Sequence, residues 1–196
     1  MHTELKPVRV WDLPTRLFHW SLVASFATAF VTAESEKLRD IHVLAGYTLA
    51  GLIVFRLLWG FVGGGYSRFA EFLPTPQKLV DYLKSLMGGN PQNYVGHNPA
   101  GAVAIFLLLG FGIVAAASGW ATYENLGGHF MEELHEGASN GMMAIVVIHI
   151  AGVILSSWLH HENLVLAMIT GWKTRHGRVS VQANVGLIDV KHSDRN

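Results

Sequence analysis

The chain contains no cysteine. Disulfides, thiolate zinc sites, covalent c-type haem attachment and cysteine-ligated iron–sulfur clusters are therefore excluded. Charge is scarce too: 14% of the 196 residues are charged, where a soluble domain carries about 25%. The formal net charge is zero, so there is no electrostatic footprint for nucleic acid. No cleavable signal peptide is read, because the first apolar segment runs on into a membrane span without a small-residue cleavage site. What is abundant is apolar: 51% of residues are hydrophobic. They gather in long uncharged runs, the pattern of an all-α membrane protein. Eleven histidines and six tryptophans are generous for the length.

The most informative run is EELHEGASNGMMAIVVIHIAGVILSSWLHH, Glu132 to His161. Between His135 and Trp158 its one charged side chain is Glu136, and its length is enough to cross a bilayer. His135 and His149 lie fourteen residues apart. At 100° per residue they return to within roughly 40° of one direction, about 21 Å apart along the axis. One helix face thus presents an imidazole near each side of the membrane. An imidazole in lipid is costly and is read by default as functional. Alone, His149 is equally readable as a core histidine bonded to a backbone carbonyl; matching histidines elsewhere favour the functional reading.

Residues 1–12 are polar and expected at the cytoplasmic surface. In VWDLPTRLFHW, Asp12 is placed to cap a helix begun by Leu13 and Pro14, and Trp11 and Trp20 suit an interfacial aromatic belt. The first span is expected from about Thr15 to Ala33, with His19 in its first turns. The second runs from about Ile41 to Val62, with His42 at its start and Arg56 fourteen residues on, on roughly the same face. An arginine this deep wants an anionic partner, unless it snorkels to the interface. In PTPQKLVDYLKSLM, Thr75 caps, Pro76 starts, and Leu79, Val80, Leu83, Leu86 and Met87 line one face. That helix is too short and too charged to span, and is expected to lie on the membrane surface. The third span, about Pro99 to Tyr123, supplies packing surface through Gly101, Gly110, Gly112 and Gly119. The fourth contains the two histidines. ENLVLAMITGWKTRHGR then reads as a short interfacial helix with a basic end. The expected organisation is a four-transmembrane-helix bundle with short amphipathic interfacial helices over residues 1–178, and a mobile cytoplasmic tail over 179–196.

Charge sets the orientation. Lys6, Arg9 and Arg16, then Arg68, Lys78 and Lys84, then Lys173, Arg175, Arg178, Lys191 and Arg195 fall on one side. The other side has only Lys37 and Arg39 among several carboxylates. The positive-inside rule puts both termini in the cytoplasm. Alternating helix directions then pair the histidines by depth: His42 with His135 near the outer side, His19 with His149 in the cytoplasmic half. A zinc site would need three or four ligands converging on a point. Two imidazoles facing each other from different helices instead clamp a flat macrocycle, and two such pairs suit two haems. Gly46 and Gly152, about one turn after His42 and His149, leave room for a porphyrin, although glycines serve helix packing equally well. Arg16 and Arg56 are candidates for the haem propionates. Iron with imidazole on both faces has no open position and carries electrons.

WDLPTRLFHW, HVLAGYTLAGLIVFRLLWGFVG, GHNPAG, the His135–His149 spacing and ENLVLAMITGWK resemble the Ni/Fe-hydrogenase b-type cytochrome subunit family. That family belongs to the bacterial di-haem membrane cytochromes b, which include the formate dehydrogenase gamma subunit. The resemblance covers about residues 8 to 175. It implies a four-helix bundle in the bacterial inner membrane with two b-type haems, their ligands matching His19, His42, His135 and His149. It also implies electron exchange with membrane quinone, commonly at the cytoplasmic-side haem, and a redox partner on the periplasmic face, either a hydrogenase- or dehydrogenase-like subunit or a c-type cytochrome. Alternatives are a stand-alone quinone-linked oxidoreductase acting on a small oxidant, and a transporter using histidines for metal ions or protons. His97 and Asn98 are candidates for a quinone carbonyl, though Asn98 reads more simply as the cap of the third helix. His129, His160, His161 and His176 are expected not to ligate iron.

Overall fold

A computed structural model of the chain describes residues 7–89 and 92–173. The expected tail, 179–196, and His176 lie outside the described residues. Four long helices dominate: α1 (Leu13–Thr32), α2 (Arg39–Val62), α5 (Pro99–Tyr123) and α6 (Gly128–His160). Shorter ones are α3 (Phe69–Phe72), α4 (Pro76–Met87) and α7 (Leu164–Thr170). Among the described residues, three helical stretches are long and apolar enough to cross a membrane: Glu36–Val62, Pro99–Tyr123 and Gly128–His160. Helix α1 has 20 residues but is diluted by Arg16, His19 and its serines and threonines. Outward-facing side chains are apolar: Leu58, Phe61, Val147, Ile148 and Ile154 are all more than half exposed. A water-soluble bundle would hide this surface, and a bilayer solvates it.

Local chemistry explains where the helices start. Asp12 accepts from the Thr15 amide at 2.9 Å, Thr75 from Lys78 at 3.3 Å and Asn98 from Gly101 at 2.7 Å. Each satisfies an amide left over in the first turn, and a proline within the first two positions follows each cap. Asp12 also ties α1 to the end of α2. It accepts from Trp59 Nε1 at 3.1 Å and Ser67 Oγ at 2.9 Å, and Thr15 Oγ1 donates to Ser67 at 2.9 Å. Burial alone would raise the Asp12 pKa; the bonds from Thr15, Ser67 and Trp59 outweigh it and hold the carboxyl below its usual range.

The packing follows two antiparallel pairs. Helix α1 packs along α2, α5 along α6, and α2 against α5 joins the pairs. Leu49, Ile53, Phe69, Phe72, Ala102, Leu109 and Met142 form the shared core.

Two expectations needed correction. Trp11 is 7% exposed and forms a small core with Val10 and Ala167, so it is not part of an exposed aromatic belt. The reason is a two-stranded antiparallel ladder, β1 (Val8–Arg9) with β2 (Trp172–Lys173). On α4, Tyr82 is the buried anchor, with Leu79 and Leu86 half-buried, while Val80, Leu83 and Met87 face outward. Helix α4 packs on α5, and that contact selects which side of its apolar face is covered.

Candidate functional site

The four expected histidines come from three helices. His19 stands on α1, His42 on α2, His135 and His149 on α6. Neither α1 with α6 nor α2 with α6 is among the closely packed helix pairs. The pairs that carry facing histidines are therefore the ones held apart.

At the end of the bundle near the α1–α2 connection, the His42 and His135 ring centres are 6.1 Å apart with their planes nearly perpendicular. His42 Nδ1 is 2.8 Å from the Ala29 carbonyl oxygen, and His135 Nδ1 is 2.8 Å from that of Ala115. A carbonyl can only accept, so both Nδ1 atoms carry a proton, and in the neutral ring the lone pair is then on Nε2. That is the tautomer of a histidine prepared for a metal, oriented by a backbone oxygen behind it. A metal–nitrogen bond of about 2 Å puts each ring centre roughly 3 Å from the metal, and two rings across one ion roughly 6 Å apart. The observed separation fits. Among the described residues no group of three or more His, Cys, Asp or Glu side chains is placed to hold a metal ion.

Glycines shape this end. Open space surrounds the position a Cβ would take on Gly46, one turn after His42. At Gly119 the same position lies 2.8 Å from Nδ1 and Cε1 of His135. The His135 ring therefore lies in the gap left by a missing side chain on α5. Gly119 reads from the sequence as packing surface only; nothing local marks it as the seat of an imidazole.

At the other end stand His19, His149, His97, Arg56 and Lys173. His19 Nδ1 is buried without a partner among the described residues. Arg56 is 3% exposed, with Nη1 unpartnered and its guanidinium 4.6 Å from the Phe69 ring centre. This rules out snorkelling and leaves a buried cation with a spare donor. Arg16 donates to the Ile169 carbonyl, at the end of α7, while its Nε is buried and unpartnered. His97 sits between Trp11 and Phe72, ring centres at 4.5 and 4.4 Å, with Nδ1 also buried and unpartnered. Burial, then the charges of Arg56, His149, Lys173 and His19, push its pKa down to about 3. Asn98 caps α5. Lys173 is clamped between Glu162 Oε2 at 2.8 Å and the Tyr94 carbonyl at 3.0 Å, which fixes the loop carrying His97. His129 pairs at the surface with Glu132 and Glu133.

Residues 10–171 match the prokaryotic cytochrome b561 family. Curated relatives agree. The chain is 27% identical to a probable Ni/Fe-hydrogenase B-type cytochrome subunit of Azotobacter chroococcum mcd 1, over 85% of this chain and 88% of that protein. It is 24% identical to one of Bradyrhizobium diazoefficiens, over 84% and 85%. It is also 24% identical to the probable Ni/Fe-hydrogenase 1 B-type cytochrome subunit of Escherichia coli K12, over 87% and 93%. No solved structure matches. With its apolar helices and its facing imidazoles, the chain belongs to the prokaryotic cytochrome b561 family, as an integral membrane b-type cytochrome of electron transport.

Proposed function

We propose that the chain carries electrons through two haems b, one between His42 and His135, the other between His19 and His149. The observation that carries this reading is the pair of rings 6.1 Å apart whose Nδ1 atoms are both tied to backbone carbonyls. A haem held by two imidazoles supplies reversible one-electron chemistry and leaves no coordination position for a substrate. The protein residues orient the two nitrogens, keep water out and neutralise the propionates. Arg56, buried with a free Nη1, is the first candidate for a propionate; Arg16 Nε is the second. His97, walled by Trp11 and Phe72, is the candidate for contact with a quinone carbonyl near the cytoplasmic end.

Four crossings are supported by the ends of the fold. Val8 pairs with Lys173 and Arg9 with Trp172, so both described ends meet at one end of the bundle. Three spanning helices would separate them; with α1 as a fourth they return together. Basic residues at that end place it in the cytoplasm of a bacterial inner membrane. The names of the relatives support a hydrogenase-like subunit as the redox partner, and the proposed orientation would have it dock on the periplasmic face.

The test is haem stoichiometry. The purified protein is expected to hold two haems, and His42→Ala and His149→Ala are each expected to remove about half, measured as pyridine haemochrome per protein. Full occupancy in either variant rejects that ligand.

A further inference from the structure

The two carbonyls that hold His42 and His135 share a second feature. Ala29 O also accepts from the Thr32 hydroxyl at 3.3 Å, and Ala115 O from the Ser118 hydroxyl at 3.3 Å. Both hydroxyls lie three residues beyond the alanine, and each shares its one hydrogen between that carbonyl and a nearer one a turn back at 2.7 Å, Thr28 O for Thr32 and Val114 O for Ser118. Both are buried, Thr32 at 7% and Ser118 at 2% exposure. Helix α1 ends in a tightened turn, where the Ala33 amide bonds to Phe30 O. Ala29 O is thereby released from its usual amide partner and left to Thr32 and His42. Serine and threonine often donate one turn back inside apolar helices. That habit does not explain why, on two unrelated helices, the shared carbonyl is the one bearing an imidazole.

We propose that Thr32 and Ser118 are positioning residues that set the strength of the Nδ1–H···O=C bonds to His42 and His135, and so the redox potential at that end of the bundle. This rests on the reading of His42 and His135 as haem ligands. The physical chain is short. A hydroxyl donating to a carbonyl draws electron density from it and weakens it as an acceptor for the imidazole. Without the hydroxyl the imidazole bond strengthens, Nε2 becomes a better donor, and the oxidised iron is favoured.

The experiment uses the full chain in lipid vesicles, with Thr32→Val, Ser118→Ala, the double variant, and the conservative swaps Thr32→Ser and Ser118→Thr. Redox titration resolves the two haems by their visible spectra, and the His19–His149 haem serves as the internal reference. At a fixed ambient potential the oxidised-to-reduced ratio of the His42–His135 haem is expected to rise about threefold in each single variant, a fraction of a neutral hydrogen bond, and about tenfold in the double. The conservative swaps are expected to stay at the wild-type value. An unmoved ratio with both haems present, a shift to the reduced side, or a Thr32→Ser variant that behaves like Thr32→Val overturns the proposal. A wild-type protein without a haem at that level defeats the ligand reading itself, a result distinct from two haems with unmoved ratios. Where Thr32→Val fails to bind haem, Ser118→Ala reads the same effect from the opposite helix.

Discussion

Gly119 and His97 show how much a single position can decide. A methyl group on Gly119 would lie 2.8 Å from two atoms of the His135 ring, a clash costing about 1–3 kcal/mol if nothing yields. Gly119→Ala is therefore expected to lose about half of the haem while helical circular dichroism stays at the wild-type level. Gly110, where a Cβ meets open space, is the control. His97 makes a pH prediction. Its folded pKa, about 3, lies below its ordinary 6.5. Below pH 6.5 the unfolded chain takes up a proton that the folded one refuses, so stability is present above 6.5 and lost as pH falls toward 3. The loss approaches about 1.4 kcal/mol per pH unit. His97→Gln is expected to flatten the acid side of a thermal-melting profile between pH 7 and pH 5; a slope equal to wild type refutes this. The meeting of His42 and His135 was legible because period and depth need only counting. Gly119 was not, since its neighbour is set by how α5 and α6 meet. Trp11 was misread for the same reason: its burial depends on a strand more than 150 residues away.

At the scale of elements, the caps were legible and the closures were not. Asp12, Thr75 and Asn98 act within three residues of themselves, so sequence carries the whole signal. The β1–β2 ladder, the one-turn α3 and the covered side of α4 depend on distant partners. Gly171 marks the cost of one closure. It takes φ 88° at the end of α7, and its carbonyl accepts from the amides of Val10 at 2.8 Å and Trp11 at 3.2 Å. A Cβ there would also stand 2.7 Å from the Trp11 carbonyl oxygen. Gly171→Ala combines left-handed strain with that contact and is expected to destabilise by about 1–3 kcal/mol. The readout is thermal release of haem from the end nearer His19, ahead of the other. Simultaneous release at the wild-type temperature contradicts it.

For the whole molecule the question is how many times the chain crosses the bilayer. Because there is no native cysteine, single-cysteine variants report orientation without background. Lys37→Cys, in the turn between α1 and α2, is expected to react with a membrane-impermeant maleimide in intact spheroplasts. Lys78→Cys, on α4, is expected to react only after the membrane is opened. The opposite pattern inverts the topology, and labelling of both from outside removes it. The all-helical membrane character was readable because bilayer thickness and helical period are constraints on sequence. The spacing between α6 and its histidine-bearing neighbours was not, because a gap leaves no periodic trace.

The meeting of residues 8–9 with residues 172–173 also has a bearing on biosynthesis. The ribosome releases Trp11 early, yet its covering from α7 and Gly171 emerges only after every long helix has been made. His42 and His135 face each other as soon as α6 is inserted, whereas the compartment around His97 waits for the last segment to latch over it.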